Sequence, residues 1–165
     1  MKTIKMIRTL FPVIIGVLSV ALWPADSLHA SGPPVETTYE AVLVNVDVQS
    51  VTELPGGNVI QEAVLTWEST GDWEGTFIGL VRSVTQQNGV STASGVFTFE
   101  GTVLGLEGTL DVHHVGTFKA DGTFKGNNTI LRGTGELEHV RGQGKNVVIA
   151  SGVIEARFLL LHIAP

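Results

Sequence analysis

The adjacent histidines His113 and His114 are the residues of this chain best suited to chemistry, because an imidazole changes charge near neutral pH and can relay a proton or orient a ligand. Neighbouring residues of a strand face opposite sides, so the two rings are expected to point apart. His114 alternates with the apolar Leu110 and Val112 and is predicted to lie inside the fold, with His113 outside. His114 is therefore the candidate catalytic residue.

The alternative role for His114 is structural: a core histidine whose ring nitrogens bond to backbone or side-chain groups. The sequence places no second catalytic group beside it, and catalysis needs several groups in a defined mutual geometry. The structural role is favoured for this reason, and a non-enzymatic function is expected over an enzymatic one.

Metal and cofactor binding are not expected from these residues. The two histidine side chains point to opposite faces, the chain has no cysteine, and no His-x-His or nearby carboxylate pair completes a ligand set. Gly133-Thr134-Gly135 lacks the third glycine of a dinucleotide-binding fingerprint and does not open a helix. We predict neither a metal site nor a cofactor.

Large aromatic side chains occur on several successive strand-like segments. Eight-stranded barrels can enclose one small ligand, so these rings together with His114 could line a cavity for an apolar molecule. Equally, they could fill the interior and leave no cavity, which is the simpler expectation for a small barrel. The aromatic candidates for ligand binding are Trp67, Trp73, Phe77, Phe97 and Phe99.

The segments of the chain that contain these residues are predicted to be β-strands. Nothing after the first 35 residues has helical periodicity, and short alternating segments are separated by Gly, Asn and Asp turns. We predict a turn at 142–144 and about eight strands, at 42–48, 59–69, 73–85, 93–104, 106–118, 123–131, 135–140 and 146–163.

Short connections between these strands imply an antiparallel meander. A sheet of this length closes most simply into an eight-stranded barrel, because closure removes both unpaired edges. Frequent glycine within the strands favours the barrel, since glycine marks the bends of a tightly curved sheet. The predicted class is all-β, a single antiparallel eight-stranded β-barrel, with a β-sandwich as the alternative.

The chain begins with features of a secretory signal peptide. Lys2, Lys5 and Arg8 precede an uncharged apolar run over 10–23, and Leu28-His29-Ala30 offers a cleavage site. The run is shorter than a membrane-spanning helix requires. We predict a signal peptide over 1–30, a flexible leader over 31–35 and the barrel domain over 36–165. The mature protein is expected to be secreted or periplasmic, with no stable membrane insertion after cleavage.

The charge of the chain disfavours one class of partner. The formal net charge is −6, and removal of the predicted signal peptide leaves a more acidic remainder because three of the cations lie in it. An acidic surface repels phosphate backbones, so nucleic acid is not expected as a partner.

The glycine-rich middle of the chain contains an FEG-x-x-x-G-x-x-G block, a histidine that follows it, and a later GTGEL-x-x-x-x-G-x-G run. These motifs fall on Phe99-Glu100-Gly101, Gly105, Gly108, His114, Gly133 to Leu137, Gly142 and Gly144. In these residues the chain resembles a family of small bacterial proteins known as domain of unknown function 3224. The resemblance implies an allene oxide cyclase-like barrel, the type that dirigent proteins share. It implies no reaction, since one fold hosts many functions.

Apolar residues near the end of the chain predict a contact with another subunit. The run from Phe158 to Ile163 is apolar on both faces of the predicted strand, whereas the outer face of a barrel normally meets water. We therefore expect a homo-oligomer formed through this strand.

Three functional hypotheses follow from the sequence. The leading one is an exported barrel that binds a small, mainly apolar molecule. The second is an isomerase or cyclase acting on such a molecule, with His114 and an inward carboxylate or ordered water involved. The third is a structural or interaction protein whose barrel is filled.

Overall fold

The computed structural model describes residues 33–161. They form eight strands and no helix: β1 (Val35–Glu53), β2 (Val59–Gly71), β3 (Trp73–Thr85), β4 (Ser91–Val103), β5 (Leu106–Phe118), β6 (Phe124–Gly135), β7 (Arg141–Ala150) and β8 (Val153–Leu161). The predicted signal peptide lies outside these residues. No helix able to cross a membrane occurs in the described range.

The strands close into a barrel in which each strand is antiparallel to the next. The ring is completed where Val35–Val42 of β1 pairs with 153–160 of β8. This confirms the predicted all-β, eight-stranded antiparallel barrel over the alternative sandwich.

The last third of the chain departs from the predicted strand boundaries. Residues 136–139 form a turn rather than a strand, 142–144 lie inside β7 rather than in a turn, and Ser151-Gly152 divide the predicted 146–163 strand in two. Packing explains the glycines, because a Cβ at Gly144 would run into the ring of Phe158 and one at Gly142 would lie 2.6 Å from the backbone oxygen of Leu159. These glycines allow close approach between β7 and β8 and do not mark a reversal of the chain.

One end of the barrel is filled by an aromatic cluster, which we define as Tyr39, Trp73, Phe77, Phe99 and Phe158. Its ring centroids lie 4.8 Å apart for Trp73–Phe158 and for Phe77–Phe99, distances at which aromatic rings attract. The β6–β7 connection contributes the buried Leu137 and Val140 to the same core. The predicted filling of the barrel is thus seen in this part of the interior.

A glycine pair lets two strands approach closely beside this cluster. Gly75 of β3 faces Gly101 of β4, with φ of 154° and 155°. A Cβ on either residue would collide with a carbonyl oxygen of the opposite strand, that of Glu100 or of Glu74. Only glycine fits this crossing, as expected for a strongly bent sheet.

The first strand runs past the point where it meets β8. Two register shifts interrupt its pairing with β2, between Leu43 and Asn45 and between Val48 and Ser50. After Val42, the edge of β1 that faces β8 is no longer paired with that strand. Val44, Val46 and Val48 are accordingly about half exposed, at 50%, 47% and 48%.

The final strand alternates cleanly between the two sides of the barrel. Phe158 and Leu160 are buried, while Leu159 and Leu161 are 52% and 39% exposed on the outer face. His162 and Ile163 lie outside the described residues. The homo-oligomer through Phe158–Ile163 stays a prediction.

Replacing Thr37 with valine is expected to lower the free energy of unfolding. Thr37 and Trp73 are completely buried, and the indole Nε1 donates a hydrogen bond of 3.0 Å to Thr37 Oγ1. Thr37→Val keeps the volume but leaves the indole N–H unpaired, at a cost of about 1–3 kcal/mol. Urea unfolding measures the loss, with Thr92→Val at an exposed position of β4 as the control. Equal stability of the two variants would contradict the prediction.

Candidate functional site

The barrel encloses a cavity of about 370 Å³ beyond the aromatic cluster. Its wall is mainly apolar and includes Leu65, Val81, Ala93 and Val112. It reaches Phe118, which is 40% exposed, and the Ser151–Gly152 turn between β7 and β8. The volume falls in the range of small-molecule sites, about 300–1,000 Å³.

The structure divides the aromatic residues that the sequence singled out. Trp67, Phe77 and Phe97 line the cavity, and so does His114. Trp73 and Phe99 do not line it, because both are fully buried within the aromatic cluster. Alternation along a strand separates inside from outside, but it does not separate a cavity wall from a packed core.

His114 points into the barrel from β5 and is 8% exposed. Its ring lies between Phe97, met edge-on at a centroid distance of 6.1 Å, and Phe124, stacked at 5.8 Å. His114 Nδ1 is 2.8 Å from Asn128 Oδ1. A carboxamide oxygen only accepts, so Nδ1 carries the proton of the neutral ring and Nε2 is left as an acceptor.

Burial lowers the pKa of His114 below its ordinary value of 6.5, because desolvation disfavours the charged ring. The hydrogen bond with Asn128 acts in the opposite direction, and the nearby charge of His113 acts in the same direction as burial. The imidazole is therefore neutral at neutral pH.

Two asparagines accompany His114, Asn128 on β6 and Asn146 on β7. Both line the cavity and both are 5% exposed. Asn128 Nδ2 and Asn146 Oδ1 are buried without a hydrogen-bond partner in the described part of the chain. Buried polar atoms of this kind are rare in folded proteins and call for an explanation.

Gly126 brings these side chains together. It pairs with Asn146 across β6 and β7, and a Cβ at this position would lie 2.7 Å from His114 Cε1 and closer still to Asn146 Oδ1. The histidine ring and the Asn146 amide therefore meet over its bare backbone. His114, Asn128 and Asn146 form one cluster, called here the polar cluster.

The sequence did not predict the two asparagines. Asn128 sits in Asn127-Asn128-Thr129, which reads as a glycosylation sequon, and Asn146 lies in a segment whose turn was misplaced. The available clue was alternation: Gly126, Asn128 and Ile130 share the inner face of β6, so an amide among them is buried.

The outer face carries ordinary surface chemistry. His113 points outward as expected and lies 3.3 Å from Ser94 Oγ through its Nε2. Arg132 donates a hydrogen bond to Asp111 and holds the pKa of that carboxyl below its usual value. Within residues 33–161, no group of three or more His, Cys, Asp or Glu side chains could hold a metal ion.

The polar side chains of the cavity wall are hydrogen-bonding groups rather than charged ones. Among its described lining residues none is Asp, Glu, Lys or Arg, so a general acid–base pair is not formed there by charged side chains. The single titratable imidazole is accompanied by amides, which position ligands through hydrogen bonds.

Comparisons with known proteins agree with this architecture. A family model described as "Protein of unknown function (DUF3224)" matches residues 38–159. A crystal structure of a protein of unknown function from the DUF3224 family of Shewanella oneidensis MR-1 aligns with a TM-score of 0.66, covering 77% of this chain and 96% of that chain. The two sequences are 18% identical, so the likeness shows the fold alone. No curated protein matches the chain.

We predict that His114 makes the barrel less stable in mild acid. Its pKa is lowered in the folded state, so below about pH 6.5 the unfolded chain binds the proton more readily, and the free energy of unfolding falls as the pH is lowered. Urea unfolding between about pH 7 and about pH 5.5 should show this slope in the native chain and in His113→Gln, and a reduced slope in His114→Gln. The same slope in all three proteins would refute the assignment.

Proposed function

Because this chain belongs to the DUF3224 family, whose description assigns no activity, we propose its function from the barrel: it binds a small, mainly apolar molecule in the cavity. The observation that carries the proposal is the cavity of about 370 Å³, whose mainly apolar wall also includes the polar side chains of His114, Asn128 and Asn146. Ligand sites combine apolar walls with a few convergent polar groups in this way.

A solvent-filled or collapsed interior accounts less well for these features. An apolar wall binds ordered water weakly, since water needs two to four polar partners. The aromatic cluster shows that this chain supplies enough large side chains to fill one part of its barrel, whereas Ala41 and Ala93 occupy wall positions of the other part. The filled, purely structural barrel is therefore the weaker hypothesis.

An isomerase or cyclase is the second candidate function. The neutral His114 offers an acceptor nitrogen inside an apolar chamber, and the relation to allene oxide cyclase-like barrels, which the sequence resemblance implies, points to a class that moulds its substrate. The two functions differ in one readout, because an enzyme releases its ligand chemically changed and a binding protein returns it intact.

We also propose that the protein works after export. The basic start, the apolar run over 10–23 and the Leu28-His29-Ala30 site support a cleaved signal peptide. Expression in a bacterial host should yield a chain outside the cytoplasm that begins at Ser31, which intact mass spectrometry measures. A chain that keeps its first 30 residues, or one confined to the cytoplasm, would refute the export proposal.

Binding can be measured with N-phenylnaphthylamine, a neutral apolar probe whose fluorescence rises in dry surroundings. We expect the purified chain to bind it, and Ala93→Phe to weaken binding by about tenfold or more, because the new ring projects from the wall into the cavity. Thr92→Phe, on the exposed face of the same strand, is the matched control. Absence of binding to the native chain, or equal binding by both variants, would overturn the proposal.

A further inference from the structure

The inner face of β1 is left uncovered where the strand continues past β8. Pairing between the two strands ends at Val42 and Val153, next to a hydrogen bond of 2.8 Å that Leu43 N donates to Gly152 O. Residues 45–53 of β1 pair with β2 alone in the part of the chain that the structure describes. The barrel wall is therefore incomplete at this level.

Three valines of this extension face the interior. Residues that lie directly opposite each other in an antiparallel pair carry their side chains on the same face of the sheet. Val46 lies opposite Leu65, which lines the cavity. Val48 lies opposite Ala63, which is two residues from Leu65 along β2 and so shares its face. Val51 follows them opposite the next inner-face residue of β2. We call Val46, Val48 and Val51 the valine track.

The track is an exposed apolar surface that adjoins the cavity. Its valines are 47%, 48% and 59% exposed. Within the closed ring, by contrast, the inner-face residues Tyr39 and Ala41 of the same strand are 6% and 1% exposed. An apolar surface that is continuous with a cavity is typical of a binding groove.

The inner face becomes polar at the far end of the track. Val51 lies opposite Gln61, and Gln61 lies opposite Ser83 of β3. Both polar residues are only partly buried. The inner surface thus changes from an apolar cavity wall, across the valines, to polar side chains at the rim. A molecule with a hydrocarbon chain and a polar head matches this order.

A second copy of the chain is a poorer occupant of the track. Two register shifts interrupt the pairing of β1 with β2, and irregularities of this kind disfavour the pairing of one free strand edge with another. Residues 43–58 also carry the carboxylates Asp47 and Glu53 and no Lys or Arg. Two copies joined along this segment would bring like charges together.

We propose that the ligand of the cavity is an amphiphile with one long hydrocarbon chain. The chain extends from the cavity, beside the Ser151–Gly152 turn, over the valine track, and the polar head stays in water near Gln61. The described cavity lining contains no Asp, Glu, Lys or Arg, so a charged or strongly hydrated head is more stable outside. This inference rests on the proposed function, because it names the ligand class of the same cavity.

Protection of an introduced thiol tests where the hydrocarbon chain lies. The native sequence has no cysteine, so Val48→Cys carries a single thiol, whose reaction with dithiodipyridine is followed by absorbance. Tetradecyl maltoside, used below its micelle concentration, should displace N-phenylnaphthylamine from the native chain. It should also slow the reaction of the Val48→Cys thiol by about tenfold or more, because the bound chain covers it. N-phenylnaphthylamine is compact and should occupy the cavity without slowing this reaction.

Two further variants complete the test. Val96→Cys is the matched control, since Val96 is 43% exposed and lies opposite the outward-pointing His113. The maltoside should leave the reaction rate of this variant unchanged. Val46→Cys provides a second position on the track and should be protected as Val48→Cys is, which keeps the test decisive if one track variant does not fold.

The outcomes separate this inference from the proposed function. If the native chain binds neither N-phenylnaphthylamine nor the maltoside, the proposed function fails and the inference fails with it. If the native chain binds N-phenylnaphthylamine and the maltoside does not displace it, only the inference is overturned. Displacement without protection of the track thiols overturns it too. Equal protection of the Val96→Cys thiol, or equal protection of the track thiols by N-phenylnaphthylamine, would likewise contradict it.

Discussion

The pairing of the first strand with the last is the constraint on which the rest of the structure depends. Hydrogen bonds between Val35–Val42 and residues 153–160 turn an open meander into a ring and give every strand an inner face and an outer face. Without this contact β1 and β8 would both expose unpaired edges and the interior would meet water. The desolvation that keeps His114 neutral, and that makes an unpartnered amide costly, therefore follows from closure.

The interior combines two solutions to the same packing problem. At one end, aromatic rings and the buried β6–β7 connection exclude solvent by filling the space, and the indole N–H of Trp73 is satisfied by Thr37. Towards the other end a chamber remains, whose wall includes the small Ala41 and Ala93, and three polar side chains meet there. A rigid, filled floor beneath a chamber suits a site that must hold its shape, because close-packed interiors yield little under strain.

Much of the barrel could be predicted from local patterns. Alternation and Gly, Asn and Asp turns located β2 to β6 and correctly turned His114 inward, since both depend on a period of two along one strand. The first strand, predicted over 42–48, is longer and spans Val35–Glu53, so the segment that pairs with β8 was missed. The prediction of the β7 region was wrong because Gly142 and Gly144 leave room for the Leu159 backbone and the Phe158 ring of β8, a tertiary requirement that looks identical to turn chemistry in one sequence. Asn128 and Asn146 escaped for a related reason, because their meeting depends on the register between strands.

Trp67 and Trp73 give the barrel two optical reporters in different settings. Trp67 borders the chamber, whereas Trp73 is sealed within the aromatic cluster with its N–H bonded to Thr37. Indole emission responds to the polarity around the ring, so the two residues sense separate events. A molecule bound in the chamber would change the surroundings of Trp67 and leave those of Trp73 as they are, whereas unfolding changes the surroundings of both.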